Sequence, residues 1–294
     1  MRMTWRFDRR RRRFLQKAGA AAAAAALGPL IITERTIAQT RTLYVNSWGG
    51  SFTAAQDAAY FKPFTALTGI QIRTVTPVSY AKIKAQVQAG RYEFDMTSIS
   101  GCAPAARDWP SRSIDSPRTL IFALLADGVP PDRLYPLDID RAFKKLDQLK
   151  PHIKVWWREG NQSQQLIRDG ELDMMSIWNG RASELKEAGV PVELVWNGAV
   201  RSTSTWCVLK GAPNRKLAWE FIQFATQPKP QAEFNRRLYY GPTNPAAFEF
   251  IPHDIAVVLP TYNENLAVSI REDDEWEADR IVALEERFTQ WLAS

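Results

Sequence analysis

The sequence predicts an α/β fold in which helices cover both faces of a parallel sheet. Short apolar runs rich in β-branched residues alternate with longer amphipathic runs, and glycine or proline follows most of the longer ones. The short runs have the length of strands and the longer ones the period of helices. Regular alternation of strand and helix favours strands that run in one direction, connected by crossover helices.

The elements before residue 100 alternate regularly. Gly69 and Gly90 are expected to end two helices, because glycine tolerates the left-handed conformation of a C-terminal cap. Ser79 is suited to cap the second helix at its N-terminus. The pattern predicts strands at 43–46, 70–75 and 94–99 and helices at 53–68 and 79–90.

Residues 101–118 interrupt the alternation. The stretch GCAPAARDWPSRSIDSP has three prolines and no apolar period, which predicts an irregular linker. Alternation then resumes with predicted helices at 119–126, 138–150, 162–168, 182–188, 215–226 and 274–292. The strands predicted in this part are 153–157, 172–178, 192–196 and 205–210.

Residues 1–38 are predicted to be a twin-arginine signal peptide. Arg9–Arg13 and the four residues after them give RRRFLQK, which resembles the motif that the twin-arginine translocase recognises. The apolar stretch 18–32 is shorter than the ~20 residues that span a bilayer, and small residues at 36–38 place cleavage before Gln39. Export to the periplasm is therefore expected, with an uncleaved membrane anchor as the alternative.

The net positive charge of the chain comes mainly from residues 1–38. The full sequence has 38 Lys+Arg and 32 Asp+Glu, and residues 1–38 contain nine of the basic and two of the acidic side chains. The remainder therefore carries a net charge near −1, which argues against nucleic acid as a partner. Cys102 and Cys207 are the only cysteines, so at most one disulfide can form within the chain.

Catalytic and metal-binding motifs are missing from the sequence. His152 and His253 have no partner at metal-ligand spacing, and there is no HExxH, GxSxG, CxxC or phosphate-binding loop. We therefore expect no enzyme, no cofactor and no metal site. A secreted α/β enzyme of the Ser–Lys or paired-carboxylate type remains an alternative.

Small polar turns follow three of the predicted strands. They are Ser47–Ser51, Ser98–Gly101 and Trp178–Arg181. Ligands of open α/β sheets bind beyond the carboxyl ends of the strands, where small residues let backbone N–H groups approach and tryptophan offers a face to a cation. The alternative is that Trp48 and Trp178 pack in a core.

Several ordered segments resemble extracellular solute-binding proteins of the spermidine/putrescine type, the periplasmic receptors of ABC importers. They are YVNSWGGSFTAAQDAAYFKPFTALTGIQI, GELDMMSIWNGRASEL, KLAWEFIQFATQPKPQAEF and YYGPTNPAA, and the resemblance covers 43–101 and 119–294. It implies a two-lobed periplasmic-binding-protein fold of type II that closes on its solute by hinge motion. Lobe one would comprise 39–100 plus 205–294, and lobe two 119–204.

The resemblance also implies a binding site. Lobe one would contribute Ser47, Trp48, Gly50, Ser98 and Ser100, lobe two would contribute Trp178 and Asn179, and two further aromatic positions would be Trp206 and Tyr240. The implied function is capture of a small cationic, polyamine-like solute and its delivery to the membrane permease. Because Tyr239 and Tyr240 are adjacent and phenolates suit ferric iron, a receptor for iron or another small solute is an alternative.

The chain is shorter than members of this family, and the missing part falls at 101–117. A natural internal deletion and an error in the gene model would both produce such a gap. Since proline donates no N–H to a sheet, this segment is a poor substitute for a hinge strand. The sequence therefore predicts an incomplete lobe one, a flexible connection to lobe two and weakened closure.

Overall fold

The computed structural model describes residues 41–100, 116–157 and 160–294. The predicted signal peptide and most of the predicted linker lie outside these residues, so both stay predictions. Residues 116–118, which the sequence assigned to the linker, belong instead to a helix. Within the described ranges, no helix has the length and apolar character needed to cross a membrane.

The described residues form six strands and thirteen α-helices. The strands are β1 (Thr42–Asn46), β2 (Gln71–Val75), β3 (Met96–Ser100), β4 (Val200–Arg201), β5 (Ser204–Val208) and β6 (Ile270–Arg271). The helices up to residue 200 are α1 (Gly50–Gln56), α2 (Lys62–Thr68), α3 (Tyr80–Ala89), α4 (Ser116–Ala126), α5 (Ile139–Leu149), α6 (Gly160–Arg168) and α7 (Asn179–Glu187). The later ones are α8 (Arg215–Ala225), α9 (Pro228–Leu238), α10 (His253–Ala256), α11 (Asn263–Val268), α12 (Asp274–Ala278) and α13 (Ile281–Ala293).

The main sheet has the strand order β2-β1-β3-β5. β1 runs parallel to both β2 and β3, whereas β5 is antiparallel to β3 and pairs Ser98 with Trp206. The carboxyl ends of β1, β2 and β3 therefore meet at the edge where β5 begins. The predicted parallel sheet is right for three strands, and the fourth returns from the far part of the chain in the opposite direction.

The helix ends before residue 100 follow the expected local chemistry. Gly69 and Gly90 both adopt left-handed caps, with φ of 73° and 63°. The Ser79 hydroxyl accepts a hydrogen bond from the backbone N–H of Lys82 at 3.3 Å. The helix predicted at 53–68 begins earlier, at Gly50, and passes through a π-helical turn at Asp57–Phe61 between α1 and α2.

Three strands predicted after the linker are wrong. The segments 153–157, 172–178 and 192–196 are irregular. Two of them nevertheless lie side by side, because Lys154 Nζ donates to the carbonyl of Glu171 at 2.9 Å and Trp157 Nε1 to that of Ser176 at 3.0 Å. An apolar run becomes a strand only where a neighbour supplies backbone donors and acceptors, and here side chains make the connection instead.

Several helices after residue 226 were not predicted. Pro228 and Pro230 open α9, and proline in the first turn of a helix leaves its N–H ladder intact. The helix predicted at 274–292 is interrupted, since α12 ends at Ala278 and α13 begins at Ile281. The short helices α10 and α11 carry too few apolar positions for a period to be visible in the sequence.

Two main apolar cores support these elements. The first lies between the main sheet and α1, α2, α8 and α9, with Phe221 at 0 % exposure among its members. The second joins α4 and α5 to Ile270 of β6 and to Leu284 and Phe288 of α13. The C-terminal helix thus packs on the elements assigned to lobe two, although the sequence placed 205–294 in lobe one. The boundaries of the two lobes stay a prediction.

Candidate functional site

The turn after β1 lies at the edge of the main sheet where the parallel strands end. The backbone N–H of Ser47 donates to the carbonyl of Val75 at 2.9 Å, and Asn46 Nδ2 donates to the same oxygen at 2.8 Å. These bonds tie the start of the turn to the end of β2. Gly49 and Gly50 follow with φ of 89° and 54°, a left-handed region in which other residues are strained.

A polar cavity of about 400 Å³ adjoins this turn. Its lining combines backbone of the two glycines with three threonines and one carboxylate, and the lining residues are Gly49, Gly50, Thr53, Ala54, Asp57, Thr74 and Thr76. The Asp57 carboxylate is already paired with Lys62 at 2.7 Å. The cavity therefore offers mainly hydroxyl groups and backbone N–H groups to a small polar ligand.

Ser47 holds the turn together. Its buried hydroxyl lies 2.6 Å from Thr53 Oγ1 and donates to Gln56 Oε1 at 2.6 Å. Thr53 Oγ1 also accepts from the backbone N–H of Gly49 at 2.9 Å. The hydroxyl of Ser47 is thus occupied by contacts that attach the turn to α1.

Trp48 presents an accessible ring at this edge. Its side chain is 44 % exposed, and its indole Nε1 donates to the carbonyl oxygen of Ser98 at 3.0 Å. The hydrogen bond fixes the ring across the end of β3 and leaves a face free for a ligand. The alternative that Trp48 packs in a core is wrong.

Ser98 and Trp206 are placed differently from Trp48. They are directly opposite each other on β3 and β5, so their side chains share one face of the sheet. The Trp206 ring packs edge-on against Tyr60 at 6.0 Å and Phe221 at 5.1 Å, in the first core. Ser100 pairs with Ser204 at the end of β3, and its side chain lies outside what the structure describes.

A second group of predicted residues gathers around the start of α7. Trp178 precedes the helix, and its ring packs edge-on against Trp157 with the centroids 5.5 Å apart. Asn179 Nδ2 donates to the carbonyl of Tyr239 at 2.5 Å, which ties α7 to the end of α9. The Tyr240 ring lies 6.3 Å from that of Phe52 in α1, and burial raises the pKa of the Tyr240 phenol.

Gly180 allows this close packing. A Cβ atom at this position would lie 2.7 Å from the carbonyl oxygen of Leu238 and 3.0 Å from the Tyr240 ring. We expect Gly180→Ala to lower the free energy of unfolding by about 1–3 kcal/mol, since α7 must move away from the end of α9. Urea titration measures the change, and Lys186→Ala, at an exposed position of the same helix, is the control. Equal stability of the two variants would contradict the close contact.

Two charged residues of α7 were not among the predicted site residues, although Arg181 lies in the predicted turn Trp178–Arg181. Arg181 Nη1 lies 3.1 Å from Glu184 Oε2, and both side chains are about a third exposed, at 29 % and 30 %. Gln164 Nε2 donates to the same carboxylate oxygen at 2.8 Å. The other oxygen, Glu184 Oε1, accepts from the Ser51 hydroxyl at 3.1 Å and so connects α7 to the start of α1. The i, i+3 spacing in WNGRASEL was the signal available for this pair.

Eight of the nine predicted site residues fall into three sets, and the side chain of Ser100 lies outside the described residues. Trp48 and Gly50 lie at the edge of the main sheet. Trp178, Asn179 and Tyr240 surround the start of α7, and the Ser51–Glu184 contact connects this group to α1. Ser47, Ser98 and Trp206 are engaged in the turn and the first core, so the structure does not bring them to the same accessible surface.

The tyrosine pair is poorly suited to ferric iron. The Tyr239 hydroxyl donates to Glu187 Oε1 at 2.5 Å, and this contact together with burial raises the pKa of Tyr239 to about 12. Tyr240 also has a raised pKa, so both phenols resist forming the phenolate that iron requires. The described residues contain no group of three or more His, Cys, Asp or Glu side chains placed to hold a metal ion.

Comparison with known proteins assigns the chain to a family. Residues 101–258 match the model of a bacterial extracellular solute-binding protein. The γ-aminobutyric acid-binding protein of Pseudomonas aeruginosa is 32 % identical over 328 aligned positions, which cover 87 % of this chain and 92 % of that protein. The chain belongs to the bacterial extracellular solute-binding protein family. Its relatives are named as solute-binding proteins, which supports a receptor rather than an enzyme.

A solved structure shares the fold of this solute-binding protein. The ABC transporter substrate-binding protein of Bradyrhizobium japonicum aligns with a TM-score of 0.77 and 32 % identity, over 85 % of this chain and 99 % of that one. The predicted α/β periplasmic-binding-protein fold is confirmed. The spermidine/putrescine-binding periplasmic protein of Salmonella typhimurium is 25 % identical over 146 residues, which are 49 % of this chain and 40 % of that protein.

The alignment with the Pseudomonas protein also bears on the length of the chain. It extends over 328 positions, more than the 294 residues of this solute-binding protein, so the relative has residues that this chain lacks. A shortened chain was expected from the sequence. The segment 101–115, where the sequence predicted the loss, lies outside the described residues, so the position of the gap stays a prediction.

Proposed function

We propose that this protein is the periplasmic receptor of an ABC importer for a small amine-bearing solute, which it delivers to the membrane permease. Membership of the solute-binding family supports the receptor role. The predicted twin-arginine signal supports export through the twin-arginine translocase. The nature of the solute rests on the residues around Trp48 and α7.

The observation that carries the proposal is the combination of aromatic rings and one carboxylate at the proposed site. Trp48 has an accessible ring, Trp178 lies at the start of α7, and Glu184 reaches Ser51 of α1. An ammonium group away from bulk water is stabilised by aromatic faces and by a carboxylate. Because Glu184 is shared with Arg181, the aromatic faces would supply most of the stabilisation of an amine held between α1 and α7.

The charges of α7 favour an amino acid-like solute over a polyamine. A polyamine brings two or more ammonium groups, each of which needs a compensating charge when it leaves water. Glu184 already pairs with Arg181 at 3.1 Å, and that guanidinium would repel a second ammonium. A zwitterion such as γ-aminobutyric acid brings a single ammonium group and its own negative charge. The name of the Pseudomonas relative supports the same choice.

Calorimetry with γ-aminobutyric acid and putrescine tests the proposal. We expect Trp48→Ala and Trp178→Ala each to weaken binding of the preferred amine by ~0.5–2 kcal/mol, because a cation–π contact and apolar packing are lost. Trp219→Ala is the control, since that ring is 54 % exposed on α8. A wild-type protein that binds neither solute would contradict the proposal, as would unchanged affinity in both site variants.

A further inference from the structure

Two arginines lie side by side on the small second sheet. Arg201 of β4 and Arg271 of β6 are register partners in a parallel pair, so their Cα atoms are about 5 Å apart. The preceding pair, Val200 and Ile270, packs into the second core. Because side chains alternate along a strand, both arginines project from the opposite face of this sheet.

The guanidinium of Arg201 is held in a fixed orientation. Its Nε donates to the Ser269 hydroxyl at 2.5 Å, and that hydroxyl donates to the carbonyl of Leu266 at 3.3 Å. The side chain is half-buried, and both burial and the charge of Arg271 lower the pKa of Arg201. The hydrogen bond at Nε leaves the two terminal nitrogens as a fork that fits the two oxygens of a carboxylate.

Neither arginine is neutralised by an ion pair. Within 41–100, 116–157 and 160–294, no carboxylate lies at ion-pair distance from Arg201 or Arg271, while the neighbouring Glu272 is taken by Arg118 at 2.6 Å. Asp274 is near enough for Arg271 to lower its pKa, but burial has the larger effect and raises it. The pair therefore leaves positive charge available on the half-buried Arg201 and on the exposed Arg271.

The arginine pair is close along the chain to the edge of the main sheet. Arg201 precedes Ser204 of β5 by three residues, so the two Cα atoms lie within about 11 Å of each other. Ser204 pairs with Ser100 at the end of β3, two residues after Ser98, whose carbonyl holds the Trp48 indole. This path connects the arginine pair to the end of β3 where Trp48 is held, and a solute that contacts both would span the space between them together with the arginine side chains.

We propose that Arg201 and Arg271 bind the carboxylate of the solute while its amine contacts the aromatic rings of the proposed site. The inference rests on the proposed function and narrows it to solutes that carry both groups. Arg181 is less suited to this task, because Glu184 already neutralises it.

Calorimetry on the full chain tests the arginine pair with two four-carbon ligands. In Arg201→Gln, affinity for γ-aminobutyric acid should fall about 10- to 100-fold through loss of a charge-assisted hydrogen bond, and Arg271→Gln should lower it less. Affinity for putrescine, which has no carboxylate, should stay the same or rise. Arg201→Lys should lose less than Arg201→Gln, and Arg215→Gln, exposed on α8, should lose nothing.

The outcomes separate this inference from the proposed function. If the wild type binds γ-aminobutyric acid and both glutamine variants bind it within twofold of the wild type, the arginine site is wrong and the receptor proposal stands. If the wild type binds neither ligand, the receptor proposal fails. The arginine site is then tested separately, by the effect of acetate on the melting temperature. Acetate should then raise the melting temperature of the wild type above that in equal chloride, and an equal rise in the Arg201→Gln/Arg271→Gln variant would overturn the site.

Discussion

Replacing Phe221 by alanine is expected to lower the free energy of unfolding by about 3–5 kcal/mol, the range for a fully buried phenylalanine. The ring is 0 % exposed, and four aromatic rings surround it at centroid distances of 5.1–6.5 Å. They belong to the helical stretch 50–68 and to β5, so one cavity would loosen α8 from both helix and sheet. Neighbouring rings cannot close the space without leaving their own contacts, which keeps the loss large.

Urea unfolding followed by circular dichroism measures this loss, and the near-ultraviolet signal of the aromatic side chains reports their packing. Phe250→Ala is the matched control, because that ring is 41 % exposed and contacts Lys229 at the surface. We expect the control to change stability by less than about 1 kcal/mol. A loss of that small size in Phe221→Ala as well would show that the first core tolerates the cavity.

The parts of the fold that depend on neighbouring residues in the chain could be predicted from the sequence. Gly69, Gly90 and Ser79 act at helix ends through contacts within one turn, so their roles are visible in the pattern. The strands β1, β2 and β3 were also located, within two residues at each end. β1 pairs with both β2 and β3, so each of these strands has a hydrogen-bonded neighbour within the first part of the chain.

Three of the four strands predicted after the linker failed because a strand depends on partners elsewhere in the chain, whereas the strand predicted at 205–210 is present as β5. Residues 153–157 and 172–178 have apolar patterns typical of buried strands, yet the described residues connect them only through side chains such as Lys154 and Trp157. The helix predicted at 274–292 begins where expected, because Asp273 caps α12 by accepting from the backbone N–H of Trp276 at 2.9 Å. It is interrupted between Ala278 and Ile281, a break that the long apolar stripe does not indicate.

The proposed site was only partly visible in the sequence. A turn that joins tryptophan to small residues at the end of a strand predicted that Trp48 lies at the edge of the main sheet, because that position follows from strand order alone. Its role in binding stays a prediction. The burial of Trp206 depends on which face of β5 packs against Tyr60 and Phe221. A shift of one residue in the pairing of β5 would turn the Trp206 side chain to the opposite face. Arg181 and Glu184 lie one turn into α7, and only the contact with Ser51 of α1 marks them as more than a surface pair.

A pH-dependent stability is the second large effect that we expect, and it originates at Glu277 of α12. This side chain is 8 % exposed and accepts a hydrogen bond from the Tyr135 hydroxyl. Burial and the nearby charge of Glu272 raise the pKa of the Glu277 carboxyl from 4.5 to about 7, against smaller opposing effects of Tyr135 and Arg118. Asp274 on the same helix also has a raised pKa, mainly through burial.

The sign of the effect follows from proton binding. Between about pH 4.5 and 7 the folded protein holds a proton on Glu277 that the unfolded chain releases. The resulting stability is fully present below pH 4.5 and is lost as the pH rises through 7. A shift of this size corresponds to about 3 kcal/mol between the two ends of the range. Glu277→Gln keeps an oxygen acceptor for Tyr135 but cannot ionise, so the variant should be the more stable protein at pH 8.

Urea titrations at intervals from pH 4.5 to pH 8 measure this linkage in the wild type and in Glu277→Gln. We expect the free energy of unfolding of the wild type to fall with rising pH, and most of that fall to be absent in the variant. Glu275→Gln, at an exposed position of the same helix, should keep the slope of the wild type. A wild-type stability that is level over this range, or an equal slope in Glu277→Gln, would show that the buried carboxyl does not hold its proton.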